Sequence, residues 1–412
     1  MLFVGIDWSD QALDFHVRTA DGRVLAEGHV SRTFEGMAEL FTRLEVHAPL
    51  PDIAIAVETA HGAWIQALLD RGYQLYPVNP KTAERFRQAL SAAGNKSDKI
   101  DARVLAIFLA SCHQELYPLR TDAPEIVALR IACEDRLRLV EERTAKLNEL
   151  RAVLKAYYPA FLGLFGEIDS QIALAFLGEH PTQNEMRALS PRRLHGWLKR
   201  HSYPCGARTE AMTQHLHGST LSVAEHLQNA KAARIRYLAA SLTVLQAEIA
   251  EREKHISDMF GGMPEADWIR SLPAAGPTLG PALLACIGRD SDRFSTVSEA
   301  RALMGTAPVT KASGSSCFVH FRFGCWKFAR RTLQLFADGS RHQCAWAQEF
   351  YASQRASGHK HHAAVRALAH KWLKIILAMK RSGTPYNEAV FTEARRRYLL
   401  KTPLLRNVTS GV

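Results

Sequence analysis

The stretch Leu2-Phe-Val-Gly-Ile-Asp-Trp-Ser-Asp10 constrains the chain more than any other. Four apolar residues in five positions, with β-branched members among them, predict a buried strand. The strand ends on an acid, Asp7. A carboxylate at the end of a buried strand is costly unless something positive faces it. A divalent cation is a natural partner for it. The competing reading is an aspartate that caps the turn after the strand.

The next segments place this strand in a domain. Leu13–Thr19 and Arg23–Val30 alternate in polarity around Asp21-Gly22, a hairpin signal. Phe34–His47 carries Met37, Leu40, Phe41 and Leu44 at helical spacing. Ile53-Ala-Ile-Ala-Val57 is a second apolar strand, and it too ends on an acid, Glu58. A short helix over Ala63–Asp70, a strand over Gln74–Val78 and a helix over Pro80–Leu90 follow. After the polar Ala93-Gly-Asn-Lys-Ser97, Asp98–Cys112 reads as an apolar helix. Three strands, a helix, then strand–helix alternation is the order of an α/β ribonuclease H-like domain.

Asp98 and Asp101 stand three apart at the start of their helix and so share a face. Acids are favoured at helix N-termini, and Asp98 or Ser97 could serve as the cap. Two strand-end acids together with an i, i+3 acidic pair is a rarer coincidence. Two-metal phosphoryl-transfer sites need such a set, with oxygen ligands from several elements holding cations roughly 4 Å apart. Lys96 and Lys99 flank the pair, where they read either as phosphate contacts or as solvated lysines.

Three blocks carry a resemblance: Gly5-Ile-Asp-Trp-Ser9, Val57-Glu-Thr-Ala-His-Gly62 and Lys96-Ser-Asp-Lys-Ile-Asp-Ala102. In order and spacing they are similar to the signature blocks of the DEDD-type insertion-sequence transposases, also called bridge-RNA-guided recombinases. The resemblance implies a RuvC-like N-terminal domain over residues 1–120. It implies a metal-binding catalytic tetrad on Asp7, Glu58, Asp98 and Asp101, with Mg²⁺ or Mn²⁺ as the cofactor.

The middle, residues 121–265, is predicted as long coiled-coil helices around an insert at about 165–229. Pro124–Tyr158 carries Ile126, Leu129, Cys133, Leu137, Val140, Thr144, Leu147 and Leu154 at near-heptad spacing. Ile235, Leu238, Leu242, Leu245, Ile249 and Ile256 repeat the rhythm. The two could pair within the chain or with a second copy. The insert, broken at Pro181, Ser190-Pro and Tyr203-Pro, keeps enough apolar residues to read as a small helical body. Its Arg192, Arg193, Lys199 and Arg200 are either a nucleic-acid face or a solvated one.

Residues 266–412 are predicted as a mostly α-helical C-terminal domain. Trp268–Gly288 resembles a helix-hairpin-helix element, whose turn can present backbone N–H groups to phosphate. Ala312-Ser-Gly-Ser-Ser316 reads on its own as a flexible loop. The same transposase resemblance places the DNA-attacking nucleophile on Ser313, with Ser315 and Ser316 as substitutes. A serine hydroxyl needs activation. No local Ser-His-Asp set offers it, which points to a site composed from two domains or subunits. Downstream, Arg322, Lys327, Arg330 and Arg331 alternate with Phe321, Phe323, Trp326 and Phe328. That mixture suits stacked or distorted nucleic acid, or in part a core face. Gly358-His-Lys-His-His362 opens a basic amphipathic helix to about Arg381, and Arg395–Arg397 with Lys401–Arg406 form a basic tail.

A net charge of +11 asks for an acidic partner, and nucleic acid is the general one. No apolar run is long enough to span a bilayer, and none has a signal-peptide pattern. Seven cysteines without a CxxC pair predict reduced thiols in a cytoplasm, here a bacterial one. The function expected is a transposase acting on donor and target DNA through a covalent serine intermediate. The resemblance adds a guide RNA and a homo-oligomer, dimer or tetramer. A junction-resolvase-like nuclease with water as nucleophile would use the same four acids. A regulator with a degenerate site would not need them.

Overall fold

The computed structural model describes residues 1–59, 62–90, 97–120, 122–204, 208–218, 223–290, 293–294, 296–313, 316–390 and 392–393. The chain divides into two compact units, Met1–Thr121 and Asp122–Val412. The first is mixed α/β, and the second is mostly helical. Among the described residues no helix is long and apolar enough to cross a membrane.

The N-terminal unit is a five-stranded sheet in the order β3-β2-β1-β4-β5. The strands are β1 (Leu2–Trp8), β2 (Ala12–Thr19), β3 (Val24–Ser31), β4 (Ile53–Val57) and β5 (Gln74–Pro77). β1, β2 and β3 pair antiparallel, and β1–β4 and β4–β5 pair parallel. Its helices are α1 (Phe34–Glu45), α2 (Ala63–Arg71), α3 (Pro80–Leu90) and α4 (Asp98–Cys112).

Alternation along the strands decides which helix covers which face. Val4, Ile6, Ile53, Ile55 and Val57 join Leu40 and Leu44 of α1 and Leu68 of α2 in one core. Phe3, Ala54 and Ala56 join Ala83 of α3 and Leu105 and Leu109 of α4 in the other. On the second face the small residues Gly5, Ala54 and Ala56 leave room for α4 to lie almost on the strand. A Cβ on Gly5 would stand 2.0 Å from the Ala102 carbonyl oxygen and 2.5 Å from the Ala106 nitrogen. Only glycine permits that approach.

The second unit is organised by two long helices, α5 (Pro124–Tyr157) and α10 (Glu225–Gly261), of 34 and 37 residues. They pack against each other, tied by Arg136–Glu253 and Arg234–Glu149 ion pairs. Each contributes to two separate cores. Leu150 and Leu154 with Ile235, Leu238 and Leu242 pack on the insert helices α6 (Gln171–Glu179), α7 (Gln183–Arg187), α8 (Pro191–Arg200) and α9 (Arg208–His217). Ser190-Pro191, read from sequence as a breaker, starts α8, with the Ser190 hydroxyl accepting from Arg193 N–H.

Ile126, Leu129 and Cys133 with Ile256 and Phe260 join the other core, built from residues between 263 and 379. It contains α11 (Ala266–Arg270), α12 (Leu279–Ile287), α13 (Val297–Leu303), α14 (Lys327–Ser340), α15 (Ala345–Ala356) and α16 (His361–Ser382). Lys380 Nζ crosses from α16 to donate to the carbonyls of Ile287 and Asp290, at 3.0 and 2.6 Å. A two-stranded hairpin, β6 (Val309–Ser313) and β7 (Ser316–His320), projects between α13 and α14 in sequence. The basic tail, Arg395–Arg397 and Lys401–Arg406, lies outside the described residues.

Candidate functional site

Four acids lie toward one end of the N-terminal sheet, near enough for Glu58, Asp98 and Asp101 to act on the charge of Asp7. The β1–β4 ladder ends at Ile6 opposite Val57, so Asp7 and Glu58 are the next residues along neighbouring parallel strands. Their parity puts both on the α4 face, with Gly5 and Ala56. α4 begins there. The Ser97 hydroxyl accepts from Ile100 N–H at 3.2 Å and caps the helix. With that role filled, Asp98 and Asp101 occupy the first turn. The close seating of α4 on Gly5 brings that turn to the strand ends.

The electrostatics record the convergence. Asp7 is half-buried, and its carboxyl is pushed up to about 7, first by burial and then by the charges of Glu58, Asp101 and Asp98. A hydrogen bond from the backbone of Trp8 opposes the shift. Negative charge at this point lacks a sufficient counter-charge from the protein.

Arg87 of α3 engages one of these acids. Its Nη1 lies 3.4 Å from Asp101 Oδ1, and its Nη2 pairs with Glu84. Lys99 pairs instead with Glu27 on β3, at 2.7 Å, and Glu27 also meets the buried His16, at 3.4 Å. Lys96 and His61, part of the sequence blocks, lie outside the described residues.

The set fits a hard divalent cation in its chemistry, being all carboxylate oxygen around one destabilised charge. Among the described residues, however, no three His, Cys, Asp or Glu side chains are drawn together closely enough to hold an ion. Asp101 is turned to Arg87. Sequence reasoning missed Arg87, because one arginine on the polar side of an amphipathic helix gives no signal until the partner acid is placed.

Ser313 belongs to the second unit. The segment read as a loop is the end of a hairpin: Ser313 closes β6 and pairs in register with Ser316, which opens β7. Both are exposed. Gly314 and Ser315, between them, lie outside the described residues. Of the aromatics that follow, Phe328 is buried and Trp326 donates through Nε1 to Glu134 at 3.1 Å, so both serve the core. Phe323 is exposed, and the guanidiniums of Arg330 and Arg366 both lie over the ring of Phe321. His361, in the histidine cluster, hydrogen-bonds Tyr351 at 2.9 Å.

Known proteins agree with this arrangement of parts. A model of the DEDD transposases, described as Transposase, matches residues 4–159. A second, described as Transposase IS116/IS110/IS902 family, matches residues 266–352. The mini-circle protein of IS117 from Streptomyces coelicolor is 29% identical over 382 residues, 90% of this chain and 92% of its own. The 44.8 kDa protein of insertion element IS116 from Streptomyces clavuligerus is 26% identical, over 89% of this chain and 92% of its own. The 42 kDa protein of IS900 from Mycobacterium paratuberculosis is 26% identical, over 91% and 94%. The first matched segment contains all four acids and the second contains the serine hairpin, so the chain belongs to the IS116/IS110/IS902 transposase family and is a DNA-processing enzyme.

Proposed function

We propose that the protein moves its own insertion sequence by cutting and rejoining DNA strands through a serine–DNA intermediate. The observation that supports the reading is the raised carboxyl of the half-buried Asp7, pushed up by burial and by the charges of Glu58, Asp101 and Asp98. Asp7, Glu58, Asp98 and Asp101 are the residues that would hold Mg²⁺ or Mn²⁺, in a ribonuclease H-like, RuvC-like domain. When bound, such cations offset charge on a reacting phosphate and favour the ionised form of an attacking hydroxyl.

Ser313 is the proposed nucleophile, at an exposed position on a hairpin end that a DNA strand can reach. Its Oγ forms an ester to phosphorus as a phosphorus–sugar oxygen bond breaks. The released sugar hydroxyl takes the proton that the serine gives up. Bond energy is conserved in the phosphoserine ester, so a sugar hydroxyl of a second strand can reverse the step and rejoin. Asp7, Glu58, Asp98 and Asp101 would hold the cations at the reacting phosphate, and the cations would offset its charge there.

The readout of sequence is assigned to a guide RNA, in line with the lack of a compact base-reading module in the sequence. The acting form is a homo-oligomer, dimer or tetramer, working in the bacterial cytoplasm on donor and target DNA. The domain boundaries proposed are 1–120, 121–265 and 266–412.

The test is adduct trapping. Wild-type protein incubated with labelled substrate DNA and Mg²⁺, then denatured, should carry DNA on Ser313, and Ser313→Ala should carry none. Cut DNA without a protein-linked product would assign the attack to water. An adduct that persists in Ser313→Ala would move the nucleophile elsewhere. RNA sequenced from the protein purified from its host tests the guide.

A further inference from the structure

The loop Met304–Pro308, which feeds directly into the serine hairpin, is ringed by cations. Gly305 has φ +64°, and a Cβ there would meet Arg330 Cδ at 3.0 Å, so Arg330 lies against the loop backbone. Arg330 Nη1 donates to the Arg322 carbonyl at 3.2 Å, and Arg322 Nε donates to the Ala307 carbonyl at 3.0 Å. The guanidiniums of Arg330 and Arg366 both stack on Phe321, at 4.8 and 5.0 Å from the ring centre. Arg301 anchors the loop through its carbonyl, which accepts from Thr306 N–H at 3.0 Å. His370 of α16 hydrogen-bonds the backbone of Thr306.

These arginines lack the carboxylate partner that several other arginines of the unit have. Arg136, Arg289, Arg293 and Arg331 each pair with a carboxylate. Among the described residues Arg301, Arg322, Arg330 and Arg366 pair with none, and the buried Nε of Arg301 has no hydrogen-bond partner. Gathering half-buried cations without an anion costs desolvation and mutual repulsion. The cost registers locally. Arg366 is pulled below its usual range by burial and then by Arg330. His370 is pulled down by burial and then by Arg301. A ligand that brings negative charge relieves both costs, and planar guanidiniums suit the two free oxygens of a phosphodiester.

We propose that Arg301, Arg330, Arg366 and His370 form a phosphate site at the foot of the serine hairpin, gripping the backbone of the DNA strand beside the point of cleavage. The word "beside" rests on the Ser313 reading; the nature of the ligand does not. From Val309 to Ser313 β6 runs four residue steps, ~13 Å. The site therefore holds a phosphate a few nucleotides from the reacting one and sets the register of the strand against the serine.

The experiment uses the full chain carrying Ser313→Ala, so that chemistry plays no part in the readout. Binding of a labelled DNA duplex, and of RNA of the same sequence, is measured between ~50 and ~200 mM salt. The background is compared with the same chain carrying Arg366→Gln, Arg301→Gln or, as a control at the exposed end of α16, Arg381→Gln. Thermal midpoints are taken without nucleic acid. Arg366→Gln and Arg301→Gln should each weaken DNA binding about 5- to 10-fold, whatever the sequence, and lower the salt slope by about one. Their midpoints should stay level or rise, because an uncompensated cation has been removed. An unchanged affinity and slope would overturn the site, as would a lowered midpoint with binding intact, which marks a structural stack on Phe321. Loss confined to RNA would overturn the assignment to DNA. Failure of the serine reading would appear only in adduct trapping, so the two ideas fail separately.

Discussion

Arg87 and Asp101 lie against each other with side chains only 12% and 17% exposed, Nη1 3.4 Å from Oδ1. An acid proposed to bind metal is thus already engaged by the protein's own cation. Arg87→Gln should free Asp101 and add uncompensated charge beside Asp7. We expect the thermal midpoint without divalent metal to fall by ~3 °C, and the rise on adding Mn²⁺ to exceed that of the wild type. Scanning calorimetry with and without Mn²⁺ reads both. A midpoint that stays level in both conditions would mean the pair carries little weight.

Gly5→Ala should be among the most damaging single changes in the N-terminal unit. The new Cβ would meet backbone, not a movable side chain, at 2.0 and 2.5 Å. α4 must shift, at a cost of ~3 kcal/mol. Urea unfolding measures the loss, and strand cleavage should suffer further because the Asp98/Asp101 turn moves with the helix.

Asp7→Asn separates charge from shape. The wild-type carboxyl is at about 7 in the folded state, against 3.8 as its ordinary value. A raised acid binds its proton in the folded state where the unfolded chain has already lost it. Its effect on stability is therefore benign at pH 4 and grows more costly as pH rises through 7. Without metal, Asp7→Asn should match the wild type near pH 4 and exceed it at pH 8, and it should lose the Mn²⁺-dependent stabilisation and DNA cleavage. Thermal midpoints across that range, with and without Mn²⁺, check the sign.

Lys380 gives the opposite sign in the second unit. Burial pulls its ammonium down to about 8 from 10.5. A lowered lysine costs stability wherever it is charged in both states, below pH 8, and the cost fades as pH rises from 8 toward 10.5. Wild type should thus gain on Lys380→Met over that interval. Below pH 8 the difference is level, with the full cost of the buried ammonium in the wild type set against the carbonyl contacts to Ile287 and Asp290 that the variant loses.

Much of the N-terminal unit was legible because its signals are local. Apolar runs, the Asp21-Gly22 turn and strand-end acids each need only a few neighbours in sequence. The placement of Asp7 and Glu58 on one face followed from strand parity, once the β1–β4 pairing was given. Arg87 was not legible, since its meaning depends on α3 and α4 lying side by side. The hairpin around Ser313 read as a loop because Ala312-Ser-Gly-Ser-Ser has no alternation; its pairing comes from Val309–Lys311 against Phe318–His320. Arg301 and Arg366 were invisible for a similar reason: 64 residues of sequence separate two side chains that share one loop.

The paired helices α5 and α10 measure ~51 and ~55 Å and tie a separate core to each end. Such a stalk works as a ruler. Adding seven residues to each helix between Leu137 and Leu147, and at the matching level of α10, would lengthen it by ~10 Å while nearly preserving its facing. Adding two would swing the insert more than halfway round. Related elements can therefore change the reach of the insert in steps of helical turns without redesigning either end.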